Sequence, residues 1–118
     1  MLQITPQHRL FFAIEPADFR LGIDGLSALC RKKLANDPYS GTIFIFTNKR
    51  HTAVKLLAYD GSGFWLCHKR FSNKRLRWWP QSPEQAADCR SIELVIMLQQ
   101  GHPKAANVPA DWHRLSDH

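Results

Sequence analysis

AVKLLAYDGSGFWLCHKRF, residues Ala53 to Phe71, decides the fold. Two runs of aliphatic, β-branched and aromatic residues flank Asp60-Gly61-Ser62-Gly63. That arrangement predicts two strands, 53–60 and 63–71, joined by a tight hairpin turn. Working outward, TIFIFTN (Thr42 to Asn48) predicts a strand before the hairpin. RLRWW (Arg75 to Trp79), halted by Pro80, predicts one after it. Strands joined by short turns form an antiparallel meander. HRLFFAI (His8 to Ile14), bounded by Pro6 and Pro16, adds a short further strand.

Helical periodicity lies on either side of this block. From Asp18 to Asp37, Phe19, Ile23, Leu26, Cys30 and Leu34 recur every three or four residues and mark one helical face. Asp18 is positioned to cap that helix, and Arg31, Lys32 and Lys33 suit the negative end of its dipole. Gly22 and Gly25 are poor helix residues. The helix therefore starts near Asp24, or something packs closely on the glycines. NDPYSG (Asn36 to Gly41) is turn chemistry. Ser82, Pro83 and Gln85 form a capping box for a short helix up to Cys89. SIELVIMLQQG (Ser91 to Gly101) predicts a second main helix, capped by Ser91 and apolar round much of its surface. The expectation is a single α+β domain over 1–101. An antiparallel sheet of four or five strands packs its apolar face on two main helices. The tail 102–118, with two prolines and no periodic pattern, is expected to be loosely ordered.

With 118 residues, 44% of them hydrophobic, the chain can bury one modest core without staples. Its three cysteines, Cys30, Cys67 and Cys89, are odd in number and widely spaced, which argues against a disulfide framework. A reducing, cytoplasmic location follows. The N-terminus lacks a charged n-region and does not resemble a signal peptide. No apolar run approaches the roughly 20 residues of a membrane span, so no membrane partner is expected.

The formal net charge of +6 is concentrated in one place. Lys49, Arg50, Lys55, Lys69, Arg70, Lys74, Arg75 and Arg77 are half of the sixteen Lys and Arg, and Asp60 is the one acid among them. Strand alternation groups Lys55 with Leu57 and Tyr59, and Trp65 with Cys67, Lys69 and Phe71. It also groups Arg75 and Arg77 with Trp79. One sheet face near Lys55, Lys69, Arg75 and Arg77 is thus expected to be basic, with Trp65 and Trp79 set among the cations. Such a surface suits nucleic acid. Cations paired with phosphates release counterions, and an exposed indole stacks on an unpaired base. The plainer alternatives are a protein contact or a solvated hairpin whose aromatics are core. The sequence does not choose between DNA, RNA and protein.

Catalytic and metal chemistry finds little support. There is no Cys-x-x-Cys or His-x-x-x-His pair for zinc, no Gly-x-Ser-x-Gly nucleophile turn and no phosphate loop. Asp18, Asp24 and Asp60 are carboxylates that a two-metal nuclease would need to converge, but each has a plainer role as cap, early-turn acid or turn former. No cofactor, metal or catalytic residue is expected.

Several blocks, in order, resemble a known family. These are DFRLGIDGL (Asp18 to Leu26), DPYSG (Asp37 to Gly41) followed by IFIF, and KLLAYDGSGFWLCHKR (Lys55 to Arg70). RWWP and then IELVIMLQQG (Ile92 to Gly101) complete the set. The chain resembles the small accessory protein, called TnpB, encoded by the second reading frame of IS-sixty-six-type bacterial insertion sequences. That family is not the much larger RNA-guided nuclease that shares the name. Here Phe19 replaces the signature's Met, and His51-Thr52 replaces an Arg-rich run. The resemblance implies a non-catalytic accessory to transposition, acting beside a separate DDE-type transposase. Its expected partners are DNA and that transposase, with a protein adaptor docking through the aromatic sheet face as the alternative.

Overall fold

A computed structural model describes residues 4–72 and 75–100. Lys74 and the tail 102–118 lie outside the described residues. The elements are β1 (Leu10–Phe12), α1 (Ile23–Lys32), β2 (Ile43–Thr47), β3 (Ala53–Tyr59), β4 (Phe64–Arg70), α2 (Pro83–Ala87) and α3 (Ser91–Gln100). The strands form one sheet in the order β1-β2-β3-β4. This is the α+β class read from the sequence.

The hairpin β3–β4 forms as expected. Asp60 Oδ1 accepts from the backbone N–H of Ser62 and of Gly63, and Gly61 takes φ 96°, which only glycine adopts without strain. β2 pairs antiparallel with β3, but β1 runs parallel to β2. The all-antiparallel expectation fails here because α1 lies between β1 and β2 in the chain. A helix carries the chain back across the sheet, which is what a parallel connection requires.

Arg75 to Trp79 is not a strand. It crosses the sheet face instead, with Leu76 and Trp79 buried against Phe12, Val54, Leu94 and Met97. Trp79 Nε1 donates to the Ala13 carbonyl at 3.0 Å, and its ring meets Phe12 edge-on. Trp79 therefore does not share a side with the exposed Arg75 and Arg77, and the alternation read for this segment is corrected.

Both faces of the sheet are covered, where a single apolar face was expected. Phe44, Phe46 and Leu57 pack with Leu26 and Cys30 of α1. Ile43, Ile45, Val54 and Leu56 pack with the 76–79 segment and with Leu94 and Met97 of α3. β2 is accordingly buried along its whole length, and its unbroken apolar run reflects two covered faces.

α1 begins at Ile23 with Gly22 as its N-cap and no side-chain cap bond. Asp18 is not its cap. Its carboxylate grips Arg20 in a two-oxygen pair, Nε to Oδ1 at 3.0 Å and Nη2 to Oδ2 at 2.7 Å, and also accepts the Arg20 backbone N–H. Gly25 is needed because Leu21 folds back over the first turn: a Cβ there would sit 2.7 Å from Leu21 Cδ2. At α2, Ser82 Oγ accepts the Gln85 N–H as predicted. Ser91 is the first residue of α3 rather than its cap, and Glu93 Oε1 accepts the Arg90 N–H instead.

Candidate nucleic-acid interface

The β2–β3 turn is built around one side chain. Asn48 Oδ1 accepts from the N–H of Thr52 (2.8 Å) and of Ala53 (3.3 Å), and its Nδ2 donates to Thr52 Oγ1 at 2.8 Å. His51 closes the turn with φ 58°, the left-handed region that a non-glycine residue enters only when its surroundings hold it there. The chain leaving β4 is then latched onto this turn. The Phe71 N–H donates to the Thr52 carbonyl, the Leu76 N–H to the His51 carbonyl and Arg75 Nε to the Arg50 carbonyl, all within 2.8–2.9 Å.

These bonds bring six of the predicted cations to one end of the sheet. Lys49 and Arg50 ride on the turn, Lys69 and Arg70 end β4, and Arg75 and Arg77 lie on the latched segment. All six are exposed, and neither ion pair among the described residues includes any of them. Phe71 is buried beneath, with Lys69 Nζ 5.5 Å from its ring centre. Asp60, the one acid between Lys49 and Arg77, is beyond the opposite end of β4, about 20 Å from Arg70 at the usual rise per residue.

Three predicted members do not belong to this surface. Lys55 is only 6% exposed. It opposes His68, whereas Lys69 opposes Val54, so Lys55 and Lys69 point to opposite faces of the sheet. Its ammonium donates to the carbonyls of Phe19 and Leu21, both at 2.9 Å, and lies over the Phe19 ring. Lys55 thus pins the segment before α1 to the sheet. A lysine in the middle of AVKLLAY was the signal for this role. Trp79 is 4% exposed and forms core. Trp65 is 36% exposed, but it sits four residues from Lys69 and donates from Nε1 to Asp60 Oδ2 at 2.8 Å. The Ser62 and Gly63 N–H groups, the Ser62 hydroxyl and this indole hold the Asp60 carboxyl at a pKa of about 2. A permanent negative charge therefore lies beside Trp65. The basic surface is a fringe around one sheet end, not a single face.

The sequence also missed a ring at the basic end. Trp78, half-buried and edge-on to Phe12, borders a shallow recess of about 370 Å³ with His51, Arg77 and Gln85. Its signal was the neighbouring arginine, but strand alternation set Trp79, not Trp78, on the side of Arg75 and Arg77.

Asp18, Asp24 and Asp60 are not gathered. Asp18 is held by Arg20 at a pKa of about 2, and Asp60 by its own turn. Among the described residues no group of three or more His, Cys, Asp or Glu is placed to hold a metal ion. Cys30 is fully buried on α1, and burial pushes its thiol up to about 11. No helix among the described residues is long and apolar enough to cross a membrane.

A family model described as IS66 Orf2 like protein matches residues 8–106, from β1 to beyond α3. The chain belongs to the IS66 Orf2-like family. Membership ties it to insertion-sequence transposition. Two relatives come from Sinorhizobium fredii. The uncharacterized protein y4jC is 44% identical over 61 residues, which is 52% of this chain and 52% of y4jC. The uncharacterized protein y4hO is 26% identical over 98 residues, covering 83% of this chain and 84% of y4hO. The match thus spans about half the length of the first relative and most of the second. No solved structure matches.

Proposed function

We propose that this family member is a non-catalytic accessory factor that binds the DNA of its insertion sequence through the basic end of the sheet, alongside the element's transposase. The observation that carries this reading is the convergence of Lys49, Arg50, Lys69, Arg70, Arg75 and Arg77 around one latched turn, with Asp60 the one acid in the sequence from Thr42 to Pro80. The turn's own hydrogen bonds fix the backbone, so the cations are presented from a rigid base. Trp78 beside Arg77 adds a ring that an unpaired base can meet.

Fluorescence anisotropy with labelled element-end duplex and a scrambled duplex, across a salt series, tests this. Six phosphate contacts give a log–log salt slope of about −5, a loss of about 10³ in affinity between 50 and 200 mM salt. No binding at low salt overturns the DNA reading in favour of an adaptor that meets the transposase alone. The aromatic sheet face foreseen for such an adaptor is covered by the 76–79 segment and α3. That reading would have to use the apolar cleft of about 590 Å³ between β1, α1 and α2, lined by Phe11, Ile14, Leu29 and Ala86.

A further inference from the structure

β4 is an outer strand of the sheet, paired on one side with β3. The hydrogen-bond phase of that pairing is fixed at both ends. Asp60 N–H donates to the Gly63 carbonyl, and Phe71 N–H to the Thr52 carbonyl. In an antiparallel ladder, bonded pairs alternate with unbonded ones. Trp65, Cys67 and Lys69 therefore turn their backbone groups inward to β3. Phe64, Leu66, His68 and Arg70 turn theirs to the open edge. Trp65, His68, Lys69 and Arg70 are exposed, while Phe64, Leu66 and Cys67 rest their side chains on the two core layers, and among the described residues no strand pairs with the outer side of β4.

An open edge of this kind takes another strand. Charged residues on edges usually discourage pairing, but here their placement is self-complementary. Consider a second copy laid antiparallel with the two-fold axis at Cys67. The outward residues then bond as Phe64 to Arg70 and Leu66 to His68, giving about eight interchain backbone hydrogen bonds over the full strand. The intervening residues form the closer, unbonded pairs: Trp65 to Lys69, and Cys67 to itself. Each cation thus faces an aromatic ring of the other copy, Lys69 over Trp65 and Arg70 over Phe64. Asp60, bonded to Trp65 Nε1 at 2.8 Å, supplies a carboxylate beside the incoming Lys69. Trp65, one of the two exposed large apolar residues among the described ones, is covered.

We infer that the protein forms a two-fold dimer by antiparallel pairing of β4 with β4 of a second copy, in the register centred on Cys67. This does not rest on DNA binding, and the test contains no DNA. Sedimentation velocity of the full chain, up to about 100 µM for an interface of this modest size, should give twice the 13.6 kDa chain mass. Arg70→Pro removes an outward N–H without breaking the β3 ladder and should weaken the dimer at least about tenfold. Lys69→Glu, which leaves every backbone bond in place, sets an acid against Asp60 and should weaken it similarly. Diamide supplies the register: at an unbonded pair the Cα atoms are about 4.5 Å apart, within disulfide reach. Two Cys67 thiols would give up two protons and two electrons to form the bond, reducing diamide to the hydrazine. The linked peptide should contain Cys67 from both chains, and Cys67→Ser should abolish it while leaving the sedimenting dimer. Circular dichroism confirms that each variant is folded. A monomer at about 100 µM overturns the inference. So does a dimer that folded Lys69→Glu leaves unchanged, or one with no Cys67–Cys67 peptide.

Discussion

Lys55→Met separates a structural lysine from a DNA-binding one. The substitution keeps the stem inside the sheet and removes the ammonium that donates to the Phe19 and Leu21 carbonyls. Each carbonyl left without a donor costs about 1–3 kcal/mol. Relief of the buried charge's desolvation offsets part of that. The net loss expected is about 2 kcal/mol. With a urea m-value of roughly 1.5 kcal/mol/M, the unfolding midpoint should fall by roughly 1.3 M. Below that midpoint the folded variant should bind duplex with the wild-type salt slope, since Lys55 touches no phosphate. Equilibrium unfolding and anisotropy on the same preparation read both quantities. An unchanged midpoint together with a slope shallower by about 0.9 would refute the reasoning, because it would place the ammonium on DNA.

The other predictions address the basic end, the core and the hairpin. Arg50→Gln combined with Arg77→Gln should make the salt slope shallower by about 2 and weaken binding to end and scrambled duplexes alike, with the urea midpoint unmoved. Trp79→Phe keeps an aromatic ring in the core but strands the Ala13 carbonyl and leaves the indole's second ring unfilled, and should cost at least about 1–3 kcal/mol in the same unfolding assay. Because the Asp60 pKa is lowered to about 2, its contribution to the turn is complete above the ordinary carboxylate value near 3.9 and is lost as pH falls through about 2. The Trp65 indole N–H resonance should therefore hold its native shift at pH 4 and move only near pH 2. A midpoint near 4 would show that the carboxylate is not held by its turn.

Local signals with a single physical reading were legible in the sequence. The Asp60–Gly63 hairpin, the α1 face of Leu26 and Cys30, and the Ser82 cap each depend on neighbours within a few residues, and each is present. What was not legible depends on residues far apart. The parallel pairing of β1 with β2 follows from where α1 docks, which periodicity does not report. Arg75 to Trp79 reads as a strand because its composition suits one, yet Trp79 is claimed by the Ala13 carbonyl 66 positions away. Lys55 was counted with the surface cations because charge is additive in sequence, whereas burial is decided by the segment before α1. The cluster of cations did survive, since turns and strand ends place charges outward whichever layer covers the sheet.

The arrangement of those cations also bears on what kind of DNA contact they make. Phosphate contacts position a protein, and base contacts specify its site. Reading bases in the major groove takes an element that enters it, commonly a helix or a two-stranded ribbon. Here α1 and α3 lie flat on opposite faces of the sheet, engaged through Leu26, Cys30, Leu94 and Met97. The basic end presents a five-residue turn, 48–52, pulled tight by Asn48, and a latched segment whose Leu76 and Trp79 point into the core. Arg70 and Lys69 point to opposite faces, which suits phosphates on two sides of an edge better than a row of bases. Binding should therefore be strong in its salt dependence and weak in its sequence preference. The element-end and scrambled duplexes should differ by less than about tenfold at any one salt concentration, roughly the discrimination that one good base contact supplies. A preference above about a hundredfold would mean that Trp78 or an arginine reaches base edges, and the backbone-only account of this surface would fail.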